Sequence, residues 1–436
     1  MAKEDPEVPI PRTKLRRELG LAAVTLSGVG IILGAGIYAL LGEAAGMAGN
    51  AVWLTFAIAA TIAAFSALSY AELSSMYPLA SAEFEYVSNA FGRRLAFVVG
   101  WLIIFSGVLG AATVSLGFAG YFSDLVGVPR LPSAILIILI LAVILFSGIK
   151  ETARVAITLT LIEAGGIVLV IMIGLPYLGQ VNYLEMPQGI SGLLQASALV
   201  FFAYMGFEEM VKLSEETKNP ERNIPLALII ALGISIILYI LVSLAAVSVV
   251  GWEQLAASQA PFADVAAVAL GPAAFTLISI IALFATANTA LLMMVASSRI
   301  IYGMASSFSL PPILARVHPR TRTPWTAIIA VVLASIMFLF IGEIGFVANV
   351  TNFTLFVTFI LINASVILLR YRAPDAVRPF RIPGSIGLLP IIPVIGIISC
   401  CLLLAQLEPL VLLVGGLLVA IGAAIALVGE RRPAAA

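Results

Sequence analysis

Glu163 is the only charged residue between Arg154 and Glu185, in a stretch dominated by aliphatic side chains. Burial disfavours the charged form of a carboxyl group, so the chemistry open to Glu163 is carrying a proton or, when ionised, helping to hold a cation. A structural role is also open, as an acceptor for hydroxyls such as those of Thr158 and Thr160. Two further segments combine glycine with an apolar setting. Gly28-Val29-Gly30-Ile31-Ile32-Leu33-Gly34-Ala35-Gly36-Ile37-Tyr38 contains four glycines in eleven residues, and Phe201-Phe202-Ala203-Tyr204-Met205-Gly206-Phe207-Glu208-Glu209 carries a glycine and then two carboxylates.

Glycine inside a helix costs roughly 1 kcal/mol relative to alanine. Close packing through small residues accounts for one such cluster, whereas two clusters at corresponding places suggest interrupted helices. A broken helix exposes N–H groups on one stump and C=O groups on the other. The N–H groups of Gly34, Ala35 and Gly36 suit a carboxylate at the positive end of a half-helix. The carbonyls of Ile32, Phe202, Ala203 and Met205 can accept from an ammonium. Together they would form a receptor for a zwitterion such as an α-amino acid.

These segments must be held by membrane-spanning helices. The chain has 436 residues, is 61% hydrophobic and 11% charged, against about 25% charged in soluble domains. Lys plus Arg and Asp plus Glu are 23 each, so net charge gives no argument for nucleic acid. A helix needs about 20 mostly apolar residues to cross the hydrocarbon core. Twelve segments qualify: 20–42, 51–71, 95–122, 132–149, 155–178, 192–213, 225–250, 271–303, 324–342, 345–369, 386–407 and 409–429. With that count, every basic residue except Arg130 falls on one side of the membrane, which the positive-inside rule makes cytoplasmic. The segments Ser74 to Arg94 and Pro261 to Leu270 suit short helices outside the spans. The N-terminal tail, basic but with no A-x-A-like cleavage site behind it, reads as retained.

The glycine-containing spans are the first and the sixth, which would open two five-helix halves. Interrupted helices at matching positions of two halves point to a transporter's midplane site. The sequence resembles the amino acid-polyamine-organocation transporter superfamily over nearly its whole length. Glu215-Glu216-Thr217-Lys218-Asn219-Pro220-Glu221-Arg222-Asn223-Ile224-Pro225 is similar to that family's cytoplasmic signature E-E-x-K-N-P-x-R-x-I-P. Gly34-Ala35-Gly36-Ile37 resembles its G-[ST]-G-I break, with alanine in place of the usual hydroxyl residue. Ser298-Arg299-Ile300-Ile301-Tyr302-Gly303-Met304-Ala305 and Leu310-Pro311 match the end of its eighth span.

The resemblance implies an all-α membrane protein of the leucine-transporter class. It would have a 5+5 inverted repeat with broken helices 1 and 6, plus two extra C-terminal helices, and work by alternating access. The expected organisation is a cytoplasmic N-tail over 1–19, five-helix repeats over 20–179 and 191–370, a final pair over 386–429 and a cytoplasmic C-tail over 430–436. By alignment with the family, Ile104 and Val108 of span three wall the pocket, and their apolar character suits a neutral or hydrophobic substrate. Several proton-coupled relatives carry a lysine where Glu163 stands, which makes Glu163 the expected coupling residue, with sodium left open.

Glu208 either ties the unwound region together or contacts a substrate ammonium. Asn288 is expected at the substrate and Thr289 at the coupling ion, against a plain interhelical role for both. His318, the only histidine, lacks the companions a metal site needs, and no enzyme motif occurs. Cys400 and Cys401, adjacent in an apolar run, read as inert thiols.

The leading expectation is a secondary active transporter of neutral or hydrophobic amino acids in the cytoplasmic membrane. It would be coupled to protons or work by exchange, without cofactor or metal, and be either a monomer or a homodimer. Its rivals are a cationic amino acid or polyamine carrier using Glu208, and a sensor or channel.

Overall fold

The computed structural model describes residue 17 and residues 19–79, 82–306, 310–321 and 323–429. Most of the basic N-tail and the C-tail lie outside the described residues. The chain is mostly helical: α1 Leu21–Ile32, α2 Gly36–Ala48, α3 Val52–Met76, α4 Ala82–Phe91, α5 Arg93–Val126, α6 Arg130–Ser147, α7 Ile149–Gly174, α8 Gly189–Val200, α9 Pro220–Ala257, α10 Pro261–Leu270, α11 Pro272–Ser306, α12 Trp325–Leu339, α13 Ile344–Arg372, α14 Ile391–Leu404 and α15 Pro409–Gly429. Among the described residues nine helical stretches are long and apolar enough to cross a bilayer, counting α2 and α3 as one. The apolar helices α1, α12 and α14 are shorter. Helices are the natural solution here, because each satisfies its backbone hydrogen bonds within itself where water is absent.

The two short helices expected outside the spans are α4 and α10. A two-residue ribbon, Ser385–Ile386 against Leu389–Pro390, precedes α14. Helices α5 and α11 run side by side at the centre through small residues. A Cβ added to Gly107 would lie 2.0 Å from Ser297 Oγ and 3.1 Å from the Met293 carbonyl oxygen, so the close approach of α5 to α11 is made at a residue without a side chain.

One seam runs between α3 and α13. Ser69 Oγ donates to Asn363 Oδ1 at 2.6 Å and Asn363 Nδ2 donates to Ser66 Oγ at 3.0 Å. About one turn beyond Ser69 on α3 the Glu72 carboxylate accepts from Arg370 Nε at 3.0 Å and Nη2 at 2.5 Å, and from the Ile382 N–H at 2.8 Å. Arg378 Nε lies 3.4 Å from the same carboxylate. Glu72 and Arg370 are 1% and 2% exposed, so this bidentate pair clamps the segment after α13 onto α3. Close by in type, Lys212 Nζ pairs with Glu209 at 2.5 Å and lies 3.9 Å from Glu83 of α4. Burial pushes the Glu83 carboxyl above its ordinary range, and the Lys212 charge pulls it partly back.

Candidate functional site

The first predicted span is two helices. α1 stops at Ile32, Leu33 N–H closes the last turn on Val29 C=O at 2.8 Å, and α2 begins only at Gly36. The sixth is also interrupted. α8 passes into a single 3-10 turn at Phe201–Tyr204, Met205 is extended, and Gly206 takes φ 118°, a left-handed conformation that favours glycine. The chain resumes as a ten-residue 3-10 helix, Phe207–Glu216, far longer than the usual run of three or four.

The two breaks lie against each other. A Cβ on Gly36 would come within 2.5 Å of Ala203 Cα, and one on Gly206 within 2.9 Å of the Ile31 carbonyl. The glycines therefore serve contact as well as interruption.

Exposed backbone groups at such breaks need partners, and the structure supplies most of them. Thr289 Oγ1 accepts the Ala35 N–H at 2.7 Å, while Gly34 N–H makes no hydrogen bond among the described residues. The hydroxyl of Tyr239, on α9, reaches the carbonyls of Ile32 at 2.5 Å and Ala203 at 3.0 Å. Phe202 C=O accepts from Met205 N–H at 3.2 Å. Glu208, 4% exposed, turns its carboxylate back to accept the Gly206 N–H at 2.9 Å. Asn352 Nδ2, on α13, donates to Ala198 and Leu199 carbonyls at 2.7 and 3.0 Å, holding the end of α8 just before its break.

Glu163 is fully buried on α7. Its Oε2 accepts from Asn288 Nδ2 at 3.3 Å, and the same amide donates to Thr160 Oγ1 at 3.0 Å. Glu163 Oε1 and Asn288 Oδ1 are buried with no hydrogen-bond partner among the described residues. No Lys or Arg among the described residues forms an ion pair with Glu163. A carboxylate buried this way is uncompensated, so the group needs a proton or a cation. Its own backbone carbonyl accepts from Tyr38 Oη at 2.8 Å, which ties α2 to α7 beside the break.

The sequence-assigned residues thus separate into two adjoining groups. Ile32, Gly34, Ala35, Gly36, Phe202, Ala203, Met205 and Glu208 lie at the paired breaks, joined there by Thr289. Asn288 faces Glu163. The two neighbours Asn288 and Thr289 connect the groups through one peptide bond. Ile104 and Val108 are buried on α5, where their carbonyls accept from Ser297 Oγ at 3.3 Å and Ser335 Oγ at 3.1 Å. α5 meets the second break through Gly110, where an added Cβ would lie 3.6 Å from Met205 Cε.

Tyr239 escapes sequence reasoning because it sits within an apolar run. The available signal is that it is the only aromatic residue with a hydroxyl in α9. Its removal should be felt. Tyr239→Phe leaves the Ile32 and Ala203 carbonyls without their donor, costing about 1–2 kcal/mol of stability and lowering substrate uptake by roughly tenfold, about 1.4 kcal/mol in the transport step. Uptake within twofold of wild type in proteoliposomes would show that the hydroxyl does not hold the breaks.

A cavity of about 520 Å³ lies beyond Ala39, lined by Glu43, Arg130, Gln259, Glu343, Asn349 and Glu408 among others. None of the sequence-assigned residues lines it.

The family described as Amino acid permease matches residues 19–418. The chain is 31% identical to the branched-chain amino acid permease BcaP of Bacillus subtilis (strain 168), over 90% of this chain and 88% of that one. It is 30% identical to the methylthioribose transporter of the same organism, over 88% and 87% of the two chains. To the vacuolar cationic amino acid transporter 4 of Arabidopsis thaliana it is 32% identical, over 84% of this chain and 65% of that one. These relatives are transporters and not enzymes. With two facing helix breaks, a set of apolar helices and a family match over almost its full length, the chain belongs to the amino acid permease family of membrane transporters.

Proposed function

We propose that this protein moves neutral or hydrophobic amino acids across the cytoplasmic membrane by alternating access, with a proton taken up at Glu163 as the coupling step. The observation that carries the reading is the short path from Glu163 to the first break. The carboxyl accepts from Asn288, the next residue is Thr289, and the Thr289 hydroxyl holds the Ala35 N–H.

The Ala35 N–H has one proton to share. A substrate carboxylate arriving there must displace Thr289 Oγ1 or share the donor with it. The carbonyls of Ile32 and Ala203 keep a second lone pair beside the Tyr239 hydroxyl, so an ammonium can add to them. Protonating Glu163 replaces an acceptor with an O–H donor, for which Asn288 Oδ1 is an unpartnered acceptor on the neighbouring side chain. The resulting change at Asn288 bears on Thr289 through the shared helix α11. This reading gives Asn288 the coupling role and Thr289 the substrate role.

Sodium is the second reading, favoured by the two unpartnered oxygens of Glu163 and Asn288, both hard ligands. Substrate character rests on the apolar surroundings of Phe202, Met205, Ile104 and Val108, and on the branched-chain permease among the relatives. The relatives also include a methylthioribose transporter and cationic amino acid transporters. A cationic substrate would draw on Glu208, one oxygen of which already accepts the Gly206 N–H.

The inferred topology is twelve crossings in a 5+5 inverted repeat, over 20–179 and 191–370, with 386–429 as a final pair. Both termini are then cytoplasmic.

Counterflow in proteoliposomes tests the proposal. Internal unlabelled leucine should accelerate uptake of external labelled leucine, and internal lysine should not. Acceleration by lysine alone sinks the neutral class, and binding without acceleration by any amino acid sinks transport itself.

A further inference from the structure

We propose that the cavity beyond Ala39 is an outer docking site for an amino acid zwitterion, with Arg130 receiving the α-carboxylate and the surrounding glutamates the α-ammonium. The proposal rests on the amino acid transport reading above and adds a site separate from the helix breaks.

Three observations bear on it. First, the walls carry both signs of charge on exposed side chains, a guanidinium for a carboxylate and carboxylates for an ammonium. Arg130 is the single basic residue that the loop-charge alternation leaves on the side opposite all the others. It lines the cavity together with Glu43, Glu343 and Glu408. These come from four separate places in the chain: α2, the start of α6, the segment before α13 and the residue before α15. Glu43 interacts electrostatically with both Glu343 and Arg130, so the charges share one field. Yet among the described residues Arg130 forms no ion pair within 4 Å. A guanidinium beside carboxylates but not bonded to them keeps its planar donor face available to a carboxylate from outside.

Second, Asn349 Oδ1 is buried without a hydrogen-bond partner among the described residues, and Asn349 lines the same cavity. The oxygen is covered as it stands, and a turn of the half-buried side chain about its terminal bond would present it to an ammonium donor. Third, the cavity joins the broken first span. Ala39, in its wall, donates its N–H to Ala35 C=O at 2.8 Å, one helical turn from the break. About 520 Å³ is within the range of roughly 300–1,000 Å³ typical of small-ligand sites.

Three carboxylates against one guanidinium leave the cavity net negative. It should therefore exclude monoanions, and what a zwitterion has over a monocation is the contact with Arg130, which the net charge does not supply.

The test uses Gln259→Cys, in the cavity wall, in a Cys401→Ala background, reconstituted in liposomes and labelled with a membrane-impermeant thiol reagent. Saturating L-leucine should slow labelling about fivefold or more, while 4-methylpentanoate, which lacks the ammonium, and isopentylamine, which lacks the carboxylate, leave it within about twofold. Arg130→Gln should abolish protection and Arg130→Lys restore part of it. In Tyr239→Phe, whose lesion is at the breaks, protection should keep its concentration dependence. Equal protection by all three compounds, protection that survives Arg130→Gln, or protection lost in Tyr239→Phe would each overturn the outer site. Labelling reads occupancy whether or not leucine is carried. Absent counterflow with intact protection would therefore sink the transport reading alone.

Discussion

Glu163→Gln should abolish pH-gradient-driven accumulation of substrate, lowering it by at least about tenfold, while counterflow at equal pH stays within about threefold of wild type. Glutamine keeps the size of the side chain and can still accept from Asn288 Nδ2 through its amide oxygen. What it loses is the ability to take and release a proton. An isosteric change with so selective an effect separates coupling from binding. Wild-type accumulation should be larger with acid outside than with the gradient reversed, and the variant should respond to neither. If sodium is the coupling ion instead, a sodium gradient drives the wild type at equal pH and the variant loses that response. Full pH-driven accumulation in Glu163→Gln would remove Glu163 from the coupling step, leaving it as an interhelical hydrogen-bonding residue.

The second large effect is expected at the buried pair between α3 and α13. Glu72→Ala leaves Arg370, 2% exposed, without its bidentate partner, and deprives Arg378 and the Ile382 N–H of theirs. Removing one partner of such a pair costs roughly 3–5 kcal/mol because a buried charge is left uncompensated. The variant should lose most of its detergent-solubilised monodisperse fraction and melt well below the wild type. The double replacement Glu72→Leu with Arg370→Met should recover part of this, since the pair itself then carries no desolvation penalty, while Arg378 and the Ile382 N–H still lack their acceptor. A Glu72→Ala variant as stable as the wild type would mean that the pair does not clamp the segment after α13.

Much of the architecture was legible in one dimension because a bilayer imposes a simple demand. Spans must be apolar, long and helical, so composition marks the nine stretches long enough to cross among the described residues, whereas α1, α12 and α14 are shorter than the segments the sequence offers there. The two interruptions were legible for a related reason. Gly34 and Gly36 at the first break, and Gly206 at the second, are residues a continuous helix would avoid, and Gly206 does take a left-handed φ of 118°. Glu163 stood out because a lone carboxyl in an apolar stretch needs an explanation.

What the chain could not reveal was how the exposed groups are satisfied. Asn288 and Thr289 are neighbours in sequence with similar prior claims, and only packing sends one to Glu163 and the other to Ala35. Tyr239 lies 207 residues from Ile32 and 36 from Ala203, yet one hydroxyl reaches both carbonyls. Arg130 was visible only as an exception to the loop-charge pattern, and the fold gives it three glutamates around a shared cavity. Hydropathy and glycine content are properties of a segment, so the sequence by itself determined the membrane-crossing helices, their interruptions and the isolated carboxyl. Hydrogen-bond partnership depends on ångström-scale distances between residues far apart in the chain. Only the tertiary structure decides those, and with them which group at each break is free to meet a substrate.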